Sequence, residues 1–108
     1  MMAFVTITSA DDFKKQVLEA TLPVVVDYWA EWCGPCHMLA PTFEELSNTY
    51  AGKIIFAKLN VDNVGDVTSQ YGVQSIPTTI IFKEGKEVTR LIGAHPKADY
   101  VQEFDKVS

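Results

Sequence analysis

The sequence predicts an α/β domain, one mixed sheet of about five strands with about four helices covering both of its faces. Three observations predict it. β-Branched apolar runs alternate with stretches of helical periodicity, which gives β-α-β units whose strands pair in parallel through right-handed crossovers. Pro23 to Trp29 reads Pro-Val-Val-Val-Asp-Tyr-Trp, apolar without alternation, the pattern of a strand buried on both faces. Two strand-like runs near the C-terminus are joined only by Glu84-Gly85-Lys86, a hairpin that adds an antiparallel pair.

Taken in order, Phe4-Val5-Thr6-Ile7 alternates weakly and forms the first strand. Ser9 suits an N-cap, and Asp11 and Asp12 place negative charge in the first helical turn. Phe13 and Val17, four apart, mark the buried face of that helix. Pro23 to Trp29 is the central strand. The second helix runs from about Gly34 to about Tyr50, with Cys36, Leu39, Phe43, Leu46 and Tyr50 on one stripe. Pro41 inside it is expected to kink it, or to break it into two short helices. Ile54 to Val61 is the next strand. Val64, Val67 and Tyr71 mark a short helix with Gly72 as its C-cap. Thr78 to Lys83 and Glu87 to Ile92 are the hairpin strands. Tyr100, Phe104 and Val107 mark a last helix after Pro96. The order is β-α-β-α-β-α-β-β-α.

A chain of 108 residues is read as one domain, residues 1–108, large enough for a single core. A net charge of -5 argues against nucleic acid as the main partner. Met1 to Asp12 holds no basic stretch and no long apolar run, so no signal peptide is expected there. No apolar run has the length of a membrane span. Two cysteines are too few for a disulfide framework, and a loop this short would cross-link almost nothing. A reducing compartment, the cytoplasm, and a chemical role for the pair are expected.

The chemistry centres on Trp32-Cys33-Gly34-Pro35-Cys36. Cysteines at i and i+3 face each other on one helical turn at a disulfide-compatible distance. Gly34 and Pro35 suit a helix start, since proline in the first turn loses no hydrogen bond. A thiolate there is stabilised by unpaired backbone N–H groups and the helix dipole. The periodicity puts Cys36 on the core face and Cys33 at the helix tip, so one exposed and one shielded sulfur are expected. A structural zinc site needs four ligands; only His37 and His95 could join the cysteines, His37 points away from the stripe that carries Cys36, and there is no second cysteine pair, so no metal is expected. No glycine-rich phosphate loop is present, so no cofactor is expected beyond the cysteine pair.

Val26-Asp27-Tyr28-Trp29-Ala30-Glu31-Trp32-Cys33-Gly34-Pro35-Cys36 resembles the active-site signature of the thioredoxin family. Ala40-Pro41, Lys58-Leu59-Asn60-Val61-Asp62, Tyr71-Gly72-Val73, Ile76-Pro77-Thr78 and Ile92-Gly93-Ala94 match it in order and spacing. The resemblance covers essentially the whole chain. It implies the thioredoxin fold and a general protein-disulfide reductase, an electron carrier recharged by a thioredoxin reductase from NADPH or ferredoxin. Cys33 would be the nucleophile and Cys36 the resolving thiol.

The resemblance also implies that Asp27 is buried beneath Cys36 as its general base, whereas the residues alone leave a solvated strand-end carboxylate equally open. Lys58 would moderate Asp27, or be a solvated strand lysine. Pro77 would be cis and lie against the cysteines. Trp32, Ile76, Pro77, Gly93 and Ala94 would form a flat apolar surface for substrate, and Ile76 would offer its backbone to an extended segment. Trp29 is expected as a core aromatic that supports the active-site loop. His37 departs from the lysine or arginine that many members carry there, and is expected to add a pH dependence to the site. Gly-Pro between the cysteines favours a reductant. An oxidase or isomerase, or a binding subunit with dispensable cysteines, stands as the alternative. Disulfide-containing proteins and the reductase are the expected partners, with a monomeric chain and no nucleic acid or membrane.

Overall fold

The computed structural model describes residues 4–108; residues 1–3 of the segment read for a signal peptide lie outside the described residues. Strand β1 (Phe4–Ile7) leads to helix α1 (Ala10–Phe13), which continues as a π-helical stretch over Lys14–Leu18. Then follow β2 (Val24–Trp29), α2 (Gly34–Thr49), β3 (Ile55–Asn60), α3 (Gly65–Gln70), β4 (Thr78–Lys83), β5 (Lys86–Ile92) and α4 (Lys97–Val107). The element order is the one the periodicities predict. At the start of α1, Ser9 Oγ accepts the Asp12 N–H at 3.0 Å, and Asp12 Oδ2 accepts the Thr8 N–H at 2.8 Å. The first bond satisfies a donor that the helix start would otherwise strand, and the second ties the residue before the cap to the same turn.

The five strands lie in the order β1-β3-β2-β4-β5. β1, β3 and β2 are parallel, and β4 and β5 are each antiparallel to their predecessor in that order. β2 is the middle strand, and its side chains alternate between two cores. Val24, Val26 and Tyr28 pack with Phe13, Val17 and Val67 of the α1 and α3 side. Val25 packs with Leu39, Phe43 and Leu46 of α2 and with Tyr100 and Phe104 of α4. A strand covered on both faces needs no polar face, which is why its sequence does not alternate. Each such side chain contributes roughly 1.5–3 kcal/mol by leaving water.

Two expectations are refined. α2 runs unbroken through Pro41, because Leu39 on one side of the proline and Phe43 and Leu46 on the other are anchored in one core. That packing outweighs the lost backbone bond. The hairpin link is also shorter than Glu84-Gly85-Lys86. Lys86 already pairs with Lys83, leaving Glu84 (φ 54°) and Gly85 (φ 78°) as the whole turn. Two consecutive positive φ values are the type I′ geometry, whose twist matches that of the strands.

β2 has β3 on one side and β4 on the other, so the chain direction of its neighbours changes there. The crevice beyond the carboxyl end of such a strand is where α/β sheets present their functional groups. The cysteine pair hangs from that end.

Candidate active site

Beyond Trp29 the chain turns, and the Cys33 N–H donates to the Ala30 carbonyl at 3.2 Å. Cys33 is the N-cap of α2, with extended backbone and Pro35 in the first turn behind it. Its Sγ accepts the Cys36 N–H at 3.2 Å. A side-chain acceptor on that N–H is what a serine or aspartate cap normally supplies. Here the atom that caps the helix is the sulfur. Cys33 and Cys36 are joined as a disulfide, with Cα atoms 5.3 Å apart.

The expected contrast between an exposed and a shielded sulfur is not what the structure shows. Cys33 is 4% exposed and Cys36 3%. Helical periodicity places Cys33 off the buried stripe, but the bond to Cys36 draws both into one apolar cluster with Ala30, Trp29, Val61 and Ile76. Ile76 roofs Cys33, with its carbonyl oxygen 3.7 Å from Sγ.

Asp27 is 1% exposed, and neither carboxylate oxygen has a hydrogen-bond partner among the described residues. The solvated reading of this residue therefore fails. Burial pushes its pKa up to about 7, against the opposing pull of the Lys58 ammonium. Asp27 pairs in register with Lys58 on β3 and Thr79 on β4. It lies two residues from Val25, so it points to the sheet face that α2 covers, the face toward which Cys36 and its stripe also turn. Lys58 is half-buried rather than solvated. Its Nζ lies 4.7 Å from the Trp29 ring centroid and 5.4 Å from that of Phe4, a cation held over two aromatic faces. Trp29 is half-buried, packed on the cysteine cluster and edge-on to His37.

The Ile76–Pro77 bond is cis, as the resemblance implies. Pro77 itself is buried, so it does not belong to the outer surface as expected. Its carbonyl accepts the Gly93 N–H at 2.7 Å, which locks the two loops together. Gly93 adopts φ 86°, a conformation open to glycine and strained for other residues. Around the sulfurs Trp32 is 70% exposed, Ala94 is exposed and Ile76 and Gly93 are partly exposed.

Sequence reasoning missed several neighbours. Trp32 Nε1–H donates to Asp62 Oδ2 at 2.9 Å, so the exposed indole is tethered. Asp62 stands in a quoted motif, but nothing in its spacing marks it as a tryptophan partner. Ile92 is 58% exposed beside Gly93, an apolar residue where an edge strand usually ends in polar ones. His37 is exposed, and its Nε2–H donates to the Glu31 carbonyl at 2.6 Å. His95 is bonded on both ring nitrogens, to Asp99 and to the Ile92 carbonyl. Among the described residues no group of three or more His, Cys, Asp or Glu could hold a metal ion, and no helix is long and apolar enough to cross a membrane.

A helix-capping cysteine pair beside a cis-proline loop, at the end of a central strand carrying a buried aspartate, defines a dithiol–disulfide exchange site. The thioredoxin family model matches residues 4–106. The chain is 49% identical over 96 residues to the chloroplastic M-type thioredoxin of Chlamydomonas reinhardtii, covering 89% of this chain and 69% of that protein. It is 49% identical over 94 residues to thioredoxin 1 of Nostoc sp., covering 87% and 88% respectively. The solved thioredoxin of Malassezia sympodialis superposes with a TM-score of 0.90 at 36% identity, over 99% of this chain and 92% of that one. The chain belongs to the thioredoxin family. It is a thiol–disulfide oxidoreductase acting as a general protein-disulfide reductase through the Cys33–Cys36 pair.

Proposed function

We propose a division of labour within the site, carried by one observation: the Cys33 sulfur sits on the Cys36 N–H at the start of α2. In the reduced protein that N–H and the helix dipole favour the Cys33 thiolate. The thiolate attacks one sulfur of a substrate disulfide and expels the other as a thiolate, leaving a mixed disulfide. Asp27 takes the proton of Cys36. The Cys36 thiolate then attacks Cys33 Sγ and releases the second substrate sulfur. Substrate gains two electrons and two protons, and the pair closes as a disulfide. Asp27, with a pKa near 7, is poised to accept a proton at neutral pH. Lys58 tunes it by charge.

Gly34 and Pro35 shape the helix start, and Trp29 backs the loop. Substrate docks on Trp32, Ile76, Gly93 and Ala94, with Pro77 supporting this surface from beneath. A thioredoxin reductase, drawing on NADPH or ferredoxin, returns the electrons. The carrier works as a cytoplasmic monomer with no cofactor of its own, on disulfide-containing proteins.

The test is the reduction potential of the Cys33–Cys36 couple, equilibrated against a defined thiol–disulfide buffer. Trp29 and Trp32 fluorescence supplies the readout. A potential well below that of the glutathione couple is expected. A potential well above it would make the pair an oxidant and overturn the reductant reading.

A further inference from the structure

His95 lies between β5 and α4, outside the redox pair, and both of its ring nitrogens face acceptors. Nδ1 is 3.0 Å from Asp99 Oδ2, and Nε2 is 2.8 Å from the Ile92 carbonyl oxygen. A carboxylate and a backbone carbonyl can only accept. A neutral imidazole has one N–H and satisfies one of them. The imidazolium has two and satisfies both. The backbone continues the tie. The His95 N–H donates to Tyr100 Oη at 3.2 Å, the Tyr100 O–H donates to the Gly93 carbonyl at 3.4 Å, and the Gly93 N–H donates to the Pro77 carbonyl at 2.7 Å. One side chain thus pins the end of β5 to the first turn of α4. The pinned segment, Ile92 to Ala94, is the one that flanks the cis-proline loop over the sulfurs.

We propose that His95, as the imidazolium, is a positioning residue that clamps Ile92–Ala94 in the shape that receives a protein disulfide, and that its deprotonation loosens docking while leaving the sulfur chemistry intact. The proposal rests on the reading of Gly93 and Ala94 as substrate surface.

The charged neighbours favour the clamped form. His95, together with Asp99 and Glu103 of α4 and Arg90 of β5, lines one depression of about 460 Å³. Arg90 is committed to Glu87 at 2.6 Å and to the Tyr71 carbonyl at 2.8 Å, so its charge is offset. Glu103 is bridged by Lys106 at 3.1 Å. Tyr100 stands edge-on to the imidazole and remains a neutral phenol, its pKa raised chiefly by burial. The hydrogen bond to Asp99, then that to the Ile92 carbonyl, holds the His95 pKa above its ordinary value. The clamp therefore persists to higher pH than a free histidine would allow, and opens as pH rises through the folded value.

The test compares two probes in single turnovers of the fully reduced protein. Insulin requires docking. Dithiobis(nitrobenzoic acid), a small disulfide, does not, and divides out the pH dependence of the thiolate. The insulin concentration giving half-maximal rate is expected to rise about fivefold as pH rises through the His95 titration. His95→Ala is expected to show the high value at every pH, with the small-disulfide rate unchanged. Asp99→Asn is expected to move the transition to lower pH. In NMR the Gly93 amide is expected to titrate together with the His95 ring, and to lose that titration in His95→Ala.

An insulin profile in His95→Ala that keeps the pH dependence of the unaltered protein overturns the clamp. Ala94→Asp separates the two readings. If it weakens insulin use while His95→Ala does not, the clamp alone fails. If Ala94→Asp leaves insulin use unchanged, the docking surface fails and the clamp falls with it.

Discussion

Asp27 is a carboxyl group in a strand of valines, 1% exposed and without a hydrogen-bond partner among the described residues. Such a group destabilises the fold whenever it is ionised. Its folded pKa of about 7 exceeds the ordinary value of 3.8. Between those two values the native state holds a proton that the unfolded chain has lost, so stability falls as pH rises through that window. Below it, both states are protonated and the penalty vanishes. A shift of this size corresponds to roughly 4 kcal/mol once ionisation is complete. Asp27→Asn is therefore expected to raise the stability of the oxidised protein by a few kcal/mol at about pH 8 and to leave it nearly unchanged at about pH 4. Urea unfolding at both pH values measures this, and equal midpoints for the two proteins at the higher pH would contradict it. The residue was legible in sequence, but its own pattern left burial and solvation equally open, and only the family resemblance implied burial. A strand-end aspartate and a buried one read alike until the helix that covers the strand is in place. The burial of Cys33 escaped for a related reason, since helical periodicity assigns faces but knows nothing of the loop carrying Ile76.

At the scale of elements, periodicity served best where packing is regular. The stripe Cys36, Leu39, Phe43, Leu46 and Tyr50 is buried throughout. It served least at the joins. The π-helical stretch over Lys14–Leu18 has no distinct pattern of its own, because Phe13 and Val17 bury equally well in either helix. The β4–β5 turn lost a residue to the strand, since Lys86 carries no mark of pairing with Lys83. That turn makes a firm prediction. Gly85 adopts φ 78°, and a Cβ there would lie 3.0 Å from the Leu18 carbonyl oxygen. Gly85→Ala is expected to cost about 1–2 kcal/mol, through backbone strain and displacement of the α1 side of the molecule. A shift in the urea midpoint without a change in slope would report it, and an unshifted midpoint would show that the turn relaxes freely. The hydrogen bonds of His95 belong to the same scale. They join two elements across a loop, and no spacing rule connects a histidine to the carbonyl of a residue three positions before it.

For the whole molecule, the parallel and antiparallel pairings followed from the order of elements, because crossovers and hairpins leave few topologies. What the order alone left open was which strand becomes central. The unalternating valines of β2 answered that, and β2 is indeed paired on both sides, with β3 and β4. That placement has a consequence for how the molecule breathes. Amides of Val25 and Val26 lie in a strand sealed by neighbours on both edges and by helices above and below, so they can meet deuterium only when the entire chain opens. The Ile92–Ala94 loop needs only a local opening. Native-state hydrogen exchange is expected to show β2 at the global unfolding free energy and Gly93 well below it, with comparable values at both sites contrary to this expectation. The redox pair is thus suspended between the slowest clock in the protein and one of its faster ones. The anchor under the sulfurs endures for as long as the molecule stays folded, while the rim that greets each substrate is renewed many times over.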